Sequence, residues 1–209
     1  MSYQVAKLIA RVAENLPDMS EAVMQGWIEN PKGLQEFLTG LCPPASEFRV
    51  WKTIKLGTNG LKTADEFRSS LKDNRFKVSD WANDILGKPA FTVATEEIEI
   101  DLVVVSVAEL GFKNGATREN IYARAKERGL DICPNEVGPQ LRLQYKDQPK
   151  GEWLAVAMEP LRYSDGDLRL FRVERDGRGL WLGSRYGGSD TVWPADARWV
   201  FALPRKYQK

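Results

Sequence analysis

Residues 97–107 constrain the fold more than any other stretch of this 209-residue chain. From Glu97 to Leu102, acidic and aliphatic side chains alternate, and a period of two is typical of a strand with one exposed face. Residues 102–107 are then almost continuously aliphatic, as expected for a strand that is covered on both faces. The sequence therefore predicts that this strand lies at the centre of a sheet.

The first fifth of the chain has the periodicity of helices instead. Aliphatic residues recur at helical spacing from Val5 to Leu16, and Pro17 ends that pattern. Ser20 is placed to cap a second helix, and a third is predicted over Gly33–Leu41. The pair of prolines that follows marks the end of a helical segment, which we place at residues 1–43.

The middle of the chain, residues 44–150, contains two segments that resemble each other at an offset of 54 positions. Each runs from strand-forming residues through a Leu-Gly pair and an Asn-Gly turn into a helix, capped by Thr63 in one segment and Thr117 in the other. The matched stretches, 50–78 and 104–132, indicate either a degenerate duplication or the recurrence of a common motif. In both cases the sequence predicts a central sheet with helix pairs.

From residue 151 onward the pattern changes to short strands separated by glycine turns. Strands are predicted at 153–158, 168–173, 179–182 and 198–203. Four of the seven tryptophans fall in this part of the chain, and the close spacing of the strands predicts an antiparallel, tryptophan-rich sheet over residues 151–209. The whole chain is thus predicted to have an α+β fold.

Composition excludes several classes of site. The chain has no histidine, which excludes imidazole acid–base catalysis, Ser-His-Asp triads and histidine metal sites. Two cysteines, Cys42 and Cys133, are too few for a cysteine-only zinc site, so we expect no metal. No phosphate-binding or dinucleotide motif indicates a cofactor. The sequence near the N-terminus has no signal peptide and no apolar run spans a bilayer, so we expect a cytoplasmic protein without membrane contact.

The residues best suited to binding lie in the second half of the chain. Trp193 and Tyr186 lie in turn-like sequence, where we expect exposed rings that anchor a ligand; a place in the core is the alternative. Gln140, Arg142 and Tyr145 follow a glycine–proline pair, in a stretch that alternates like a strand. We expect them to bind the same ligand, with an internal salt bridge as the alternative role for Arg142.

Four blocks of sequence resemble a family of uncharacterised bacterial proteins. They are WKTIKLGT at 51–58, DWANDILGKPAF at 80–91, CPNEVGPQLRLQY at 133–145 and RWVF at 198–201. The resemblance implies a bacterial, soluble setting and brings no activity, ligand or catalytic residue.

The absence of catalytic motifs favours a non-catalytic binding protein whose partner is a protein or a small polar ligand. A carboxylate-based hydrolase acting on a sugar or nucleotide is the alternative, because carboxylates perform acid–base work without histidine. A nucleic-acid accessory factor is the second alternative. The net charge of +1 argues against it, whereas residues 111–209, with 18 basic and 13 acidic side chains (a balance of +5), keep it open.

Overall fold

The computed structural model describes residues 3–14, 16–41 and 48–204. It divides into two compact units, Met1–Pro44 and Ala45–Lys209. Helices and sheets occur together, so the α+β prediction is confirmed. Within the described ranges, every helix is too short or too polar to cross a bilayer.

The N-terminal unit consists of helices, as its sequence predicts. They are α1 (Tyr3–Glu14), α2 (Glu21–Glu29) and α3 (Pro31–Leu41). The hydroxyl of Ser20 accepts a hydrogen bond from the backbone N–H of Val23 at 3.4 Å, which confirms the predicted cap of α2. The side-chain oxygen of Asn30 accepts from Gly33 N–H at 2.9 Å and caps α3 in the same way. Local polar contacts thus set where both helices begin.

The second unit alternates helices with strands along the chain. Its helices are α4 (Ala64–Asp73), α5 (Asp80–Leu86), α6 (Arg118–Glu127) and α7 (Val137–Gln144). Its strands are β1 (Lys52–Leu56), β2 (Lys77–Val78), β3 (Ile98–Ser106), β4 (Ala116–Thr117), β5 (Trp153–Val156), β6 (Leu161–Arg162), β7 (Leu168–Asp176), β8 (Gly179–Tyr186), β9 (Val192–Trp193) and β10 (Arg198–Leu203).

One mixed sheet organises this unit, in the order β1-β3-β10-β5-β7-β8-β2, with β6 paired to β7. Strand β3 lies between β1 and β10, so it is an inner strand, but it is next to the edge strand β1 and not at the centre of the sheet as residues 97–107 predict. The strands predicted as a central and as a C-terminal sheet belong to this single sheet. It is mixed because β10 runs parallel to β5 and β2 runs parallel to β8. Strands β4 and β9 form a separate small sheet.

Helices α4, α5 and α7 cover one face of the large sheet. A chain of edge-on rings joins them to it: Phe67 of α4 contacts Phe91 at 5.7 Å between ring centroids, and Phe91 contacts Phe171 of β7 at 6.2 Å. Helix α7 lies so close to the sheet that a Cβ atom on Gly138 would be 2.5 Å from the Phe171 ring. This face therefore holds a tightly packed core.

The opposite face is covered only in part, by α6 and the β4–β9 ribbon. Tyr122 of α6 contacts Trp199 and Phe201 of β10 edge-on, at 5.6 and 6.2 Å between ring centroids. Trp193 of β9 lies 4.3 Å from Trp199. These contacts bury the β3–β10 half of the face, while side chains of β5, β7, β8 and β2 on the same face keep solvent contact.

The two similar central segments share their turns and their first helix. Thr63 and Thr117 each accept a hydrogen bond from the backbone N–H three residues later, at 3.3 Å. Left-handed residues recur at the same offset on both sides of each helix, at Gly57 and Gly111 and at Arg75 and Gly129. The strands do not share the offset, because β1 moved by 54 positions falls on 106–110, beyond the body of β3. The structural likeness is thus confined to the turn–helix–turn segment.

Candidate functional site

Three of the predicted site residues lie on or directly after helix α7, and all three are buried. Gln140 and Arg142 are fully buried, and Tyr145 retains 6% of its exposure. The strand predicted for this stretch is wrong, because residues 141–144 form the end of α7 and Tyr145 caps it. A helix enclosed on nearly all sides has no one-sided apolar stripe, so the alternation of leucines with polar residues imitates a strand.

A buried carboxylate fixes the start of α7 to two loops. Glu136 accepts hydrogen bonds from the backbone N–H of Gly57 at 2.7 Å and of Ala94 at 2.8 Å. It also accepts one from the side-chain amide of Gln140 at 3.0 Å. Gln140 is therefore engaged in holding the fold together, and its amide is not presented to solvent.

The next turn of α7 completes the edge of the sheet. The amide of Gln144 accepts from Lys55 N–H at 2.9 Å and donates to Lys55 C=O at 2.8 Å, as a neighbouring strand would. Its N–H₂ group also donates to the side-chain oxygen of Gln140 at 3.0 Å. Gln144 thus takes the place of one residue of a neighbouring strand at the β1 edge.

Arg142 is a buried cation held by neutral acceptors. Its guanidinium donates to the side-chain oxygen of Gln148 at 2.5 Å, to the carbonyl of Tyr145 and to the carbonyl of Glu174 at 3.4 Å. The ring of Phe76 lies 5.2 Å from it. Desolvation lowers the pKa of Arg142 to about 10. Its hydrogen bonds join α7 to the loop before β5 and to β7, which is a structural role.

Tyr145 also bonds inward. Its hydroxyl donates to Glu152 at 2.7 Å, and the other oxygen of Glu152 accepts from Arg198 at 2.7 Å. Burial, followed by the hydrogen bond to Glu152, raises the pKa of Tyr145. The ring of Trp51 packs against it edge-on at 4.9 Å. The predicted group Gln140–Tyr145 is therefore part of the core.

The exposure predicted for Trp193 is wrong. The turn-like sequence around it is pulled onto the sheet by the pairing of Trp193 with Ala116 in the β4–β9 ribbon. Trp193 is only 2% exposed, and it packs against Trp199 and, at 6.3 Å, against Trp153. The indole N–H groups of Trp193 and Trp199 have no hydrogen-bond partner among the described residues.

Tyr186 is exposed as predicted, at 43%. It lies at the end of β8, opposite Arg169 of β7, and alternation along the strand places it on the other side of the sheet from Arg185. The large sheet also separates Trp193 from Gln140 and α7. The structure therefore does not bring the predicted site residues together.

A different group of aromatic and cationic side chains shares the open face of the sheet. Strand pairing places Trp153, Glu174, Trp181 and Lys77 in one row across β5, β7, β8 and β2. The next positions on the same face add Arg172, which pairs with Ala155 and Gly183, and then Arg185. We call this surface the Trp–Arg face; its residues are Lys77, Trp153, Arg172, Glu174, Trp181 and Arg185.

Indole rings hold the outer cations of the Trp–Arg face. The ammonium of Lys77 lies 5.1 Å from the centroid of Trp181, and the guanidinium of Arg185 lies 6.0 Å from that of Trp153. Neither cation forms a hydrogen bond or an ion pair with the described residues. A carboxylate partner would neutralise such a charge, whereas an aromatic ring positions it and leaves it available.

The centre of the face is shaped by a small residue. Arg172 donates to Glu174 at 2.8 Å, and both side chains lie over Gly183, where a Cβ atom would be 2.9 Å from Arg172 Nε. That Nε atom is buried and has no partner among the described residues. The face thus carries three cations against one carboxylate, a local excess of two positive charges.

Trp181 is oriented by a neighbouring carboxylate. Its indole N–H donates to Asp176 at 2.9 Å, and this hydrogen bond is the main reason why the pKa of Asp176 falls to about 2. Arg178 binds the other oxygen of Asp176 at 2.9 Å and lies 5.0 Å from the Trp181 ring. The ring is therefore preorganised before any ligand arrives.

Carboxylates elsewhere are engaged in structural contacts. A shallow hollow of about 510 Å³ beside α4 is lined in part by Asp65, Glu66 and Asp73. Glu66 completes the capping box of Thr63, and Asp65 pairs with Arg68 at 2.6 Å. No group of three potential metal-ligating side chains occurs in the part of the chain that the structure describes.

Sequence reasoning missed the Trp–Arg face because its members are far apart in the chain. Trp153, Arg172 and Trp181 alternate with apolar residues along their own strands, which is a usable signal for one shared face. The pairing that aligns the strands, including Lys77 with Trp181, is a long-range property.

Comparison with family models, with curated proteins and with solved structures finds no match to this chain.

Proposed function

We propose that this protein is a non-catalytic binding module, and that its ligand is a nucleotide unit, either free or within a single strand of nucleic acid. The ligand docks on the Trp–Arg face. The observation that carries the proposal is the display of Lys77 and Arg185 over indole rings without carboxylate partners. Uncompensated cations beside aromatic rings suit a ligand that combines phosphate with a planar base.

The spacing of the face supports this ligand. Trp153 and Trp181 lie on strands separated by β7, so their backbones are about 10 Å apart, two inter-strand spacings of about 4.8 Å each. Arg172 and Glu174 lie between them. This distance is wide enough for a phosphate beside Arg172, whose buried Nε has no partner among the described residues.

The low net charge of the whole chain predicts that electrostatics contribute only modestly to the free energy of ligand binding. With a net charge of +1, the protein does not attract nucleic acid through its overall field. Three cations on one face predict that log Kd for a single strand changes with log salt concentration with a slope of about 2, at about 0.7 per phosphate contact. Stacking and local hydrogen bonds then supply the remaining affinity.

Two titrations of the full chain test the proposal. Adenosine monophosphate is titrated by calorimetry, and a fluorescein-labelled oligothymidine by anisotropy, both at low salt. Binding of the mononucleotide identifies a free nucleotide as sufficient, whereas binding of the oligonucleotide alone identifies a strand as the ligand. Failure of both probes to bind at low salt overturns the proposal.

A matched pair of variants locates the site. Arg185→Ala removes a cation of the face and should weaken binding at least tenfold, since a hydrogen bond to a charged group contributes about 1.5–3 kcal/mol. Arg49→Ala removes an exposed arginine just before β1, at the opposite edge of the sheet, and should leave Kd unchanged. Equal effects of the two substitutions would show that binding is non-specific and would contradict the assignment of the face.

A further inference from the structure

The described side chains of the N-terminal helices are mostly exposed. Among the described residues from 6 to 37, none is buried, and only four are half-buried. Seven of the large apolar side chains in this short segment are 40–70% exposed: Ile9, Val12, Leu16, Val23, Met24, Ile28 and Phe37. A contiguous apolar surface of this kind marks an interaction site.

Five of these seven side chains line one groove. It has a volume of about 590 Å³ and an almost wholly apolar lining that includes Leu16, Met24, Ile28 and Phe37. Trp27 also lines the groove and packs against Phe37 at 5.4 Å between ring centroids. A segment of about 40 residues buries too little surface to be stable by itself and usually needs a partner.

We infer that a second copy of the same segment covers this groove, so that the protein self-associates through its N-terminal helices. The available area is sufficient. The five exposed side chains that line the groove, with the partly exposed Met19, Trp27 and Leu34 beside them, represent roughly 500 Å² per copy, and two copies reach about 1,000 Å², the lower bound for a specific interface. The groove of each copy would face that of the other across a two-fold axis, as in an isologous dimer.

The charge of the N-terminal segment favours a second copy over a lipid surface as the partner of the groove. Residues 1–44 contain five acidic and three basic side chains, a balance of −2. A helix that lies on an anionic membrane needs an excess of lysine and arginine on its polar side. A segment with little net charge and an apolar face can instead pack against a second copy of itself without strong charge repulsion. Self-association would also place two Trp–Arg faces on one particle.

Sedimentation velocity of the full chain, from about 1 to 100 μM, tests the inference directly. The expected result is a concentration-dependent species of twice the 23.6 kDa chain mass. Ile28→Glu and Val12→Glu, on two different helices, should each raise the dissociation constant of the dimer at least tenfold. Ile98→Glu makes the same change at an exposed isoleucine on β3 and should leave the dimer intact.

Each outcome decides the question. A monomer at every concentration overturns the inference, whether or not the variants fold. A dimer that neither groove substitution weakens also overturns it, whatever the effect of Ile98→Glu. Vesicles with phosphatidylserine, in a flotation assay, should not bind the chain; flotation that Ile28→Glu abolishes, without any dimer, would assign the groove to lipid instead. The nucleotide titrations are independent of all these results, so the two proposals can fail separately.

Discussion

Replacing Gly138 by alanine tests whether α7 is a core element or a ligand-binding stretch. A Cβ atom on Gly138 would lie 2.5–2.6 Å from three side-chain carbons of Phe171, well inside normal contact. Phe171 is fully buried and is held edge-on by Phe91, so it has no space into which to move. Overpacking of a rigid core costs up to about 3 kcal/mol, and the better helix propensity of alanine returns about 1 kcal/mol. We expect Gly138→Ala to lower the free energy of unfolding by about 2 kcal/mol.

Urea denaturation, followed by tryptophan fluorescence, measures this change. Gly177→Ala is the matched control, because a Cβ atom there would meet nothing within 4 Å, and its midpoint should be nearly unchanged. In a Phe171→Ala background the penalty of Gly138→Ala should largely disappear, giving a coupling energy of about 1–2 kcal/mol. A Gly138→Ala protein as stable as the wild type would contradict the packing of α7. It would also make Gln140, Arg142 and Tyr145 candidates for a surface site again.

Three further predictions concern single side chains. Gln144→Leu removes both hydrogen bonds to the backbone of Lys55 and should lower the free energy of unfolding by about 1 kcal/mol. Gln144→Glu keeps the acceptor but turns a carboxylate oxygen toward the oxygens of Lys55 C=O and of the Gln140 side chain, so it should cost at least as much; equal stability of Gln144→Leu and wild type in urea would refute the edge-closing role. The pKa of Asp176 is lowered from 3.8 to about 2, so its stabilising contact with Trp181 is fully present above pH 4 and is lost as the pH falls through about 2. The Trp181 indole N–H resonance should report this transition, and Asp176→Asn should abolish it. Burial raises the pKa of Cys133, so in a Cys42→Ser background its thiol should react with a disulfide reagent at pH 8 only at the rate of unfolding. Rapid labelling of the folded chain would contradict the burial of Cys133.

Local features of the fold can be read from the sequence with good accuracy. Ser20, Thr63 and Thr117 are predicted to cap helices, and each accepts the expected backbone hydrogen bond. The inner strand at residues 97–107 is also predictable, because few structures besides an inner strand combine strict alternation with a continuous aliphatic run. Caps and strand periodicity depend on neighbours within a few residues, and the sequence contains that information in full.

The features that the local sequence does not predict depend on pairing between residues far apart in the chain. Trp193 has the sequence environment of an exposed turn, yet its pairing with Ala116, 77 positions earlier, folds it onto Trp199. Helix α7 is buried on nearly all sides, so its polar residues produce a misleading strand pattern. The Trp–Arg face depends on the alignment of Lys77 with Trp181 and of Trp181 with Glu174, which no local pattern encodes.

The most direct test of the proposed function follows the indole N–H resonances of the seven tryptophans by NMR while the full chain is titrated with oligothymidine or adenosine monophosphate. If the ligand occupies the Trp–Arg face, the resonances of Trp153 and Trp181 should shift and saturate together. Trp51, packed against Tyr145, and Trp81, which lies under Arg169, should not move. Shifts confined to Trp51 or Trp81, or no shift at Trp181 when the ligand is bound, would contradict the account.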